Sequence, residues 1–476
     1  MQTNGACALC KQKLRPLITT RENDNAILTA WRGVLARRGG DPAILAADGS
    51  VVRTFSAIEA EARETDAALE RLQPGSPVGL QFGNDARFPA LLLALWRRAL
   101  VPVPLDRSLA KDAIAAALNV LGVSALVTPA YATGIAIERR TDAREIDADF
   151  LKLTSGTSGL PRAIRFRAAQ LLADCGAVCD TMGIGPDDLN FGAIPWSHSY
   201  GLSNLLTPLL CRGVPVVASD ERLPRAILDG LSRSGATVFP GLPVLFQKLA
   251  ELDSAPLPRL RLCVSAGAPL PATVAAAFRE RFGVKIHSFY GSSECGGIAY
   301  DASDDEVPEG CVGGPMCGVR LVHDEVTGRV EVNGAAVGEG YFPETDEDIL
   351  GGGRFAPGDL VRRTQHGYVL AGRVSDFINV AGRKLNPAEI ETRMREIPGV
   401  RGVVVFGVPS ALRGEEPVAC VAGDVSAAGL REFCVANFAA WQSPRDFWIV
   451  DSLPVTDRGK LNRRALADAY QSRTTS

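Results

Sequence analysis

The segment that most constrains this chain is Leu151–Ile164, reading LKLTSGTSGLPRAI. Phe150 to Leu153 read as the end of a strand. The next six residues, Thr154, Ser155, Gly156, Thr157, Ser158 and Gly159, combine two glycines with four hydroxyl side chains. Such a backbone can curl while presenting N–H and O–H donors, which makes the segment an anion cradle by composition. Pro161 closes the loop and Arg162 adds a cation. A helix from Ala168 to Met182, stopped by Gly183, is predicted to follow, as an anion site between strand and helix requires. The spacing is not that of GxxxxGK[ST], and no GK[ST] occurs. Taken alone, the loop reads equally well as a solvated Ser/Thr-rich turn.

At 476 residues the chain exceeds one ordinary core, and two to four domains are expected. With 46% hydrophobic and 22% charged residues it has globular composition. A net charge of −3 supplies no basic footprint for nucleic acid, so a small-molecule partner is expected. The longest apolar run, Phe88 to Trp96, is half of the roughly 18 residues a membrane span needs. The first residues show no apolar segment ending in a small-residue cleavage site, and a cytoplasmic location is expected. Eleven cysteines, scattered and odd in number, read as reduced thiols. Cys7 and Cys10 form a lone CxxC, read as part of a frayed terminus rather than a zinc or redox site. The four histidines lie far apart, and no protein-held transition metal is predicted.

Helical spacing over Ala26 to Arg38 predicts an amphipathic helix ending at Gly39 and Gly40. A hairpin (Ala43 to Ala46, Val51 to Phe55) and a helix capped by Ser56 and running to Leu72 follow. Strand and helix then alternate through Val127, the mark of a parallel sheet covered on both faces. Alternation resumes after the loop and runs to Tyr290. The segments SAGAP (Ser265 to Pro269) and YGSSECGG (Tyr290 to Gly297) fall at strand carboxyl ends, where open α/β sheets bind ligands. From Val312 to Leu370 short strands with Gly turns suggest a small β-barrel. Beyond Arg373 the chain reads as a compact α+β module, with Asn386, Pro387 and Glu389 at the N-cap, N1 and N3 of a helix. The expected fold class is α/β: a large N-terminal unit (1–372) of two layered α/β subdomains plus the barrel, and a mobile α+β unit (373–476).

Seven segments occur in one order: TSGTSGLPRAI, PWSHSYGL, SAGAPL, YGSSE, GDL, GRVSDFINVAGRKLNPAEIE and DRGKLNRRAL. In this order, over nearly the whole chain, they resemble the adenylate-forming superfamily of acyl-CoA synthetases, nonribosomal-peptide adenylation domains and luciferases. The resemblance implies activation of a carboxylate by attack on the α-phosphorus of ATP, then transfer to a thiol. Thr154, Ser155, Gly156, Thr157, Ser158 and Gly159 would hold the β and γ phosphates. Glu294 would hold Mg²⁺, a hard cation suited to one carboxylate plus phosphate oxygens. Ser293, where the family usually has Thr, would touch the α-phosphate. Tyr290, with Gly291, Ser292 and the Gly267–Ala268 backbone, would bracket adenine, and Asp359 and Arg373 would meet the ribose. Lys460 is the expected mobile cation that bridges the incoming carboxylate and the α-phosphate. Ser375 stands at the family's swivel point, where Asp or Lys is commoner, and the loop around Gly382 would serve the thiol half-reaction.

Trp196, His198, Tyr200, Asn204, Gly296 and Gly297 would line the acyl site, the two glycines leaving room in it. Ser197 stands in the region where amino-acid-activating relatives place an Asp. An ammonium buried there would lack a partner, so amino acids are disfavoured. Arg162 and Ala163 replace the usual Lys and Gly. The expected activity is ATP- and Mg²⁺-dependent formation of an acyl thioester of CoA. Loading a carrier-protein phosphopantetheine is the alternative, and a nucleotide-binding homologue without turnover is the third reading.

Overall fold

The computed structural model describes residues 25–130, 134–141, 144–154, 161–253, 256–410, 413–454 and 462–475. Lys460, Ser155, Gly156, Thr157, Ser158, Gly159, Cys7 and Cys10 lie outside them. The helix Ala26–Arg38 forms as its apolar spacing requires, with Asn25 capping the N–H groups of Ile27 and Leu28. The next helix is Phe55–Ala68, and its cap is Thr54 rather than Ser56: extended Thr54 accepts from Ala57 N at 3.1 Å.

One eleven-stranded sheet organises the molecule. From Pro42–Leu45 through Val216–Ala218, Asn190–Gly192, Val238–Gly241 and Leu262–Ser265 to Ile286–Ser292, neighbouring strands run parallel. Beyond Ile286–Ser292 the sheet continues antiparallel through Gly296–Tyr300, Cys311–Pro315, Gly367–Arg373 and Asp359–Thr364. In the parallel half Val238–Gly241 and Leu262–Ser265 are buried at every residue, as strands covered on both faces must be. A second sheet pairs Pro77–Leu80 with Val101–Pro104 and Ala125–Ala130 in parallel, and the helix Phe88–Arg97, apolar up to Trp96, buries residues 88–96 in the main core.

Where a small barrel was expected, the described residues form a four-stranded antiparallel sheet (Val319–His323, Val330–Gly334, Arg354–Phe355, Leu350–Gly351), while Cys311–Pro315, Asp359–Thr364 and Gly367–Arg373 extend the large sheet. Residues from Ile378 onward enclose cores of their own around Val403, Val405, Met394 and Phe406. Their sheet has Asp446–Val450 added in parallel to Gly414–Gly423. Arg395 pairs with Glu309 at 3.0 Å and Asn386 Nδ2 donates to Ala371 O at 2.8 Å, joining this part to the rest.

Candidate active site

The Ser/Thr-rich loop departs from the expected strand-to-helix arrangement. Phe150–Thr154 pairs antiparallel with Arg162–Phe166, so Thr154 and Arg162 face each other at the end of a hairpin. Gly340–Phe342 adds the third strand. The sequence signal for that second strand is RAIRF, whose Ala163, Ile164 and Phe166 are buried. The helix Ala168–Met182 begins only afterwards. Its N-terminus is closed: Asp149 Oδ2 takes Ala168 N at 2.9 Å and Gln170 Oε1 takes Arg167 N at 2.8 Å. The first N–H groups of that helix are thus already taken by side chains of its own neighbourhood.

Ile286–Ser292 delivers the next group at its carboxyl end. Ser292 Oγ takes Glu294 N at 3.2 Å, and Ser293 Oγ accepts from Ser199 at 2.9 Å, which joins the YGSSE turn to the PWSHSYGL segment. Half-buried Glu294 accepts from Tyr341 through Oε1 at 3.1 Å. The Arg162 guanidinium lies 3.8 Å from the Tyr341 ring centre, so this cation rests on an aromatic face. Gly291 is required where it stands, since a Cβ there would lie 2.8 Å from Gly296 O.

Tyr290, Asp359 and Arg373 form one cluster. The Tyr290 hydroxyl donates to Asp359 Oδ2 at 2.7 Å, and Arg373 Nε pairs with Oδ1. Burial first, then Asp359, pushes the Tyr290 phenol far above its usual range, so it stays a donor. Asp359 is 8% exposed and lies on the last antiparallel strand of the large sheet, while Tyr290 lies on Ile286–Ser292, where parallel order gives way to antiparallel. Gly267 adopts φ +87°, a conformation that favours glycine, with Leu242 3.1 Å from where a Cβ would stand.

Trp196 is fully buried. His198 Nε2 meets Asp106 Oδ2 at 2.7 Å. That contact, opposed by burial and aided by Ser108, holds the Asp106 carboxyl far below its ordinary 3.8. A depressed folded value means its stabilisation is complete above 3.8 and is lost as the pH falls further. Asp106→Asn is accordingly expected to flatten the acid loss of stability between about pH 4 and about pH 2, read from urea midpoints. Tyr200 donates to Val264 O at 2.8 Å, and its ring centre lies 5.7 Å from that of Phe289. Asp106, Ser197, Asn84, Arg107, Asp220 and Arg222 border a cavity of about 230 Å³ beside this group.

Asn204 sits in a π-turn, Leu202–Leu206, that the helical reading of this region missed. Pro208 lacks the N–H that would bond Asn204 O in an α-helix, and Asn190 Nδ2 takes that carbonyl at 3.1 Å instead. Asn204 Nδ2 donates to Tyr200 O at 3.3 Å. The room expected beside Gly296 and Gly297 is filled. Cβ atoms there would lie 2.0 Å from Asp174 Oδ1 and 2.4 Å from Met316 Sδ.

Asp174 was missed by sequence reasoning, although a lone acid on the apolar stripe Leu171, Cys175, Val178 was the available signal. Buried Asp174 accepts from Gly297 N at 2.9 Å and from Ser203 Oγ. Lys152, also missed, is buried with Nζ unpartnered by hydrogen bonds and 4.3 Å from the Phe166 ring centre. Burial depresses its ammonium, and attraction to Asp174 opposes that most.

Ser375 lies in a short 3-10 turn, Val374–Asp376, and Gly382 has φ +81° with open space where a Cβ would be. Arg463, three residues after Lys460, binds Asp376 at 2.8 Å, Glu391 at 2.6 Å and Val405 O at 3.0 Å. Among the described residues no helix is long and apolar enough to cross a membrane.

Comparison with known proteins fits this geometry. The family model described as AMP-binding enzyme matches residues 31–152 and 144–342, and that of the AMP-binding enzyme C-terminal domain matches 389–460. A feruloyl-CoA synthase from Amycolatopsis sp is 28% identical over 436 residues, covering 82% of this chain and 88% of that protein. ATP-bound MatB from Rhodopseudomonas palustris superposes with a TM-score of 0.82 at 24% identity, over 93% of this chain and 99% of that one, a likeness of fold. The amide bond synthetase McbA from Marinactinospora thermotolerans gives 0.81 at 26% identity, over 93% and 100%.

Proposed function

The chain belongs to the AMP-binding enzyme family, and from that premise we propose that it is an acid–thiol ligase joining a carboxylic acid to CoA through an acyl-adenylate. The observation that carries this reading is the convergence at the end of Ile286–Ser292. There Tyr290 holds Asp359, which in turn binds Arg373, while Ser293 and Glu294 follow within four residues.

The residues fit a magnesium nucleotide by their chemistry. One half-exposed carboxylate, Glu294, suits a cation that completes its shell with phosphate oxygens. When bound, Mg²⁺ would neutralise phosphate charge as the bond to pyrophosphate breaks. Thr154 and the hairpin tip would grip the outer phosphates, Asp359 the ribose hydroxyls, and Tyr290 the base. Lys460 would draw the substrate carboxylate and the α-phosphate together. The part beyond Ser375 would then turn to bring Gly382 to the site for thiol attack, and the cavity bordered by Asp106 and Ser197 gives a thiol a way in beside His198.

We propose that the acid is aromatic and lacks an α-ammonium. Support comes from the likeness to a feruloyl-CoA synthase and from the Tyr200–Phe289 ring pair. Acid-dependent ATP–pyrophosphate exchange over a panel of aryl, aliphatic and amino acids tests the first step. CoA, a carrier protein and an amine are then offered in turn to the pre-formed acyl-adenylate. Absence of exchange with every acid would leave only a nucleotide-binding role. Faster release of an amide than of a thioester would move the acceptor to the amine class, which the likeness to an amide bond synthetase makes worth including.

Asp359→Asn is expected to raise the KM for ATP roughly 10- to 100-fold, as loss of a hydrogen bond to a charged group, about 1.5–3 kcal/mol, dictates. The acid's KM should stay within about twofold. An unchanged ATP KM would remove Asp359 from the ribose site.

A further inference from the structure

Tyr341 is 2% exposed and stands opposite Ile164 in the middle of the third hairpin strand. Its hydroxyl needs a partner once buried, and it takes the Glu294 carboxylate, 3.1 Å away. The same strand's approach also fixes the Glu294 backbone: Gly338 N donates to Glu294 O at 2.8 Å. A Cβ on Gly338 would stand 2.6 Å from Ile164 Cγ2 and 3.2 Å from that carbonyl, so glycine permits the approach. Arg162, on the second hairpin strand, covers the Tyr341 ring at 3.8 Å. Glu294 is thus gripped at both main chain and side chain by one segment, which is itself paired to the phosphate hairpin. Among the described residues Oε1 carries that hydrogen bond, and Oε2 accepts none.

We propose that Tyr341 is a positioning residue that confines Glu294 to one-oxygen coordination and thereby selects Mg²⁺ over Ca²⁺ on the bound nucleotide. Mg²⁺ demands near-ideal octahedral geometry and takes carboxylates through single oxygens, whereas Ca²⁺ accepts both oxygens of one carboxylate. Occupying Oε1 with a phenol disfavours the second mode. The proposal rests on the reading of Glu294 as the metal carboxylate.

Calorimetric titration of the full chain with a non-hydrolysable ATP analogue, in Mg²⁺, in Ca²⁺ and in EDTA, tests it without turnover. Tyr341→Phe removes one hydroxyl and keeps the ring under Arg162. It is expected to weaken binding in Mg²⁺ about tenfold, the loss of one hydrogen bond to a charged group, and to narrow the Mg²⁺/Ca²⁺ ratio by at least as much. Binding in EDTA should stay within about twofold, which a merely loosened fold would not allow. An unaltered Mg²⁺/Ca²⁺ ratio, or equal weakening in all three conditions, overturns the proposal. Glu294→Gln in the same titration separates the two failures. If it leaves Mg²⁺ dependence intact, the metal reading itself is wrong; if it abolishes that dependence while Tyr341→Phe changes nothing, only the positioning role falls.

Discussion

Lys460→Ala is expected to slow acyl-adenylate formation by a factor on the order of 10²–10³, the range found when one preorganised charge-stabilising donor is removed from an active site. Thioester formation from a supplied acyl-adenylate should remain within about threefold, because the two anions have already been joined and no further repulsion needs screening. The asymmetry separates a catalytic cation from a surface lysine, which would alter neither step, and from a structural one, which would depress both together. Single-turnover measurement of each half-reaction on the same preparation decides it. A parallel loss in both steps would contradict the role. Arg463 anchors the chain three residues further on to Glu391 and Asp376.

Asp174→Ala is expected to destabilise the fold by about 3–5 kcal/mol, since two buried donors lose their acceptor at about 1–3 kcal/mol each and the Lys152 ammonium loses its strongest attraction. The variant strands the Lys152 ammonium and leaves Gly297 N and Ser203 Oγ without their acceptor. Adding Lys152→Met should restore part of the loss, since an apolar side chain of similar length carries no charge to strand. Urea unfolding of the two single variants and the double variant gives the coupling. Strictly additive effects would show that the two groups do not sense each other. The pH dependence gives a second check. Burial holds the Lys152 ammonium below its ordinary 10.5, so the folded protein gains stability as the pH climbs toward that value. Lys152→Met should lack the gain.

Much of the scaffold was legible because long periodic helices and fully apolar strands leave few alternatives. The helices Ala26–Arg38 and Ala168–Met182 have the bounds their spacing and terminal glycines indicate. The pairing of Phe150–Thr154 with Arg162–Phe166 was not legible as a hairpin. Gly and Ser in a loop say that the chain turns, while the direction in which it leaves depends on pairing with Gly340–Phe342, about 175 residues away. Tyr290 and Asp359 were each legible as ligand-facing candidates, but their mutual hydrogen bond was not, because antiparallel strands added late in the chain create it. Asp174 and Lys152 lay hidden for a related reason: an isolated charge in an apolar stretch reveals its partner only after helix and hairpin are packed. The π-turn at Leu202–Leu206 had a local sign in Pro208, whose missing N–H frees a carbonyl one turn earlier.

The strand Ile286–Ser292 is the seam at which the large sheet changes from parallel to antiparallel order. A nucleotide held by Tyr290 on that strand and by Asp359 at the far edge of the antiparallel half would tie the two together. By mass action, saturation at 100 times the dissociation constant adds about 2.7 kcal/mol to the bound state. The antiparallel strands could then not peel from the seam without first releasing the ligand, so occupancy would be written into the cooperativity of unfolding as well as its midpoint.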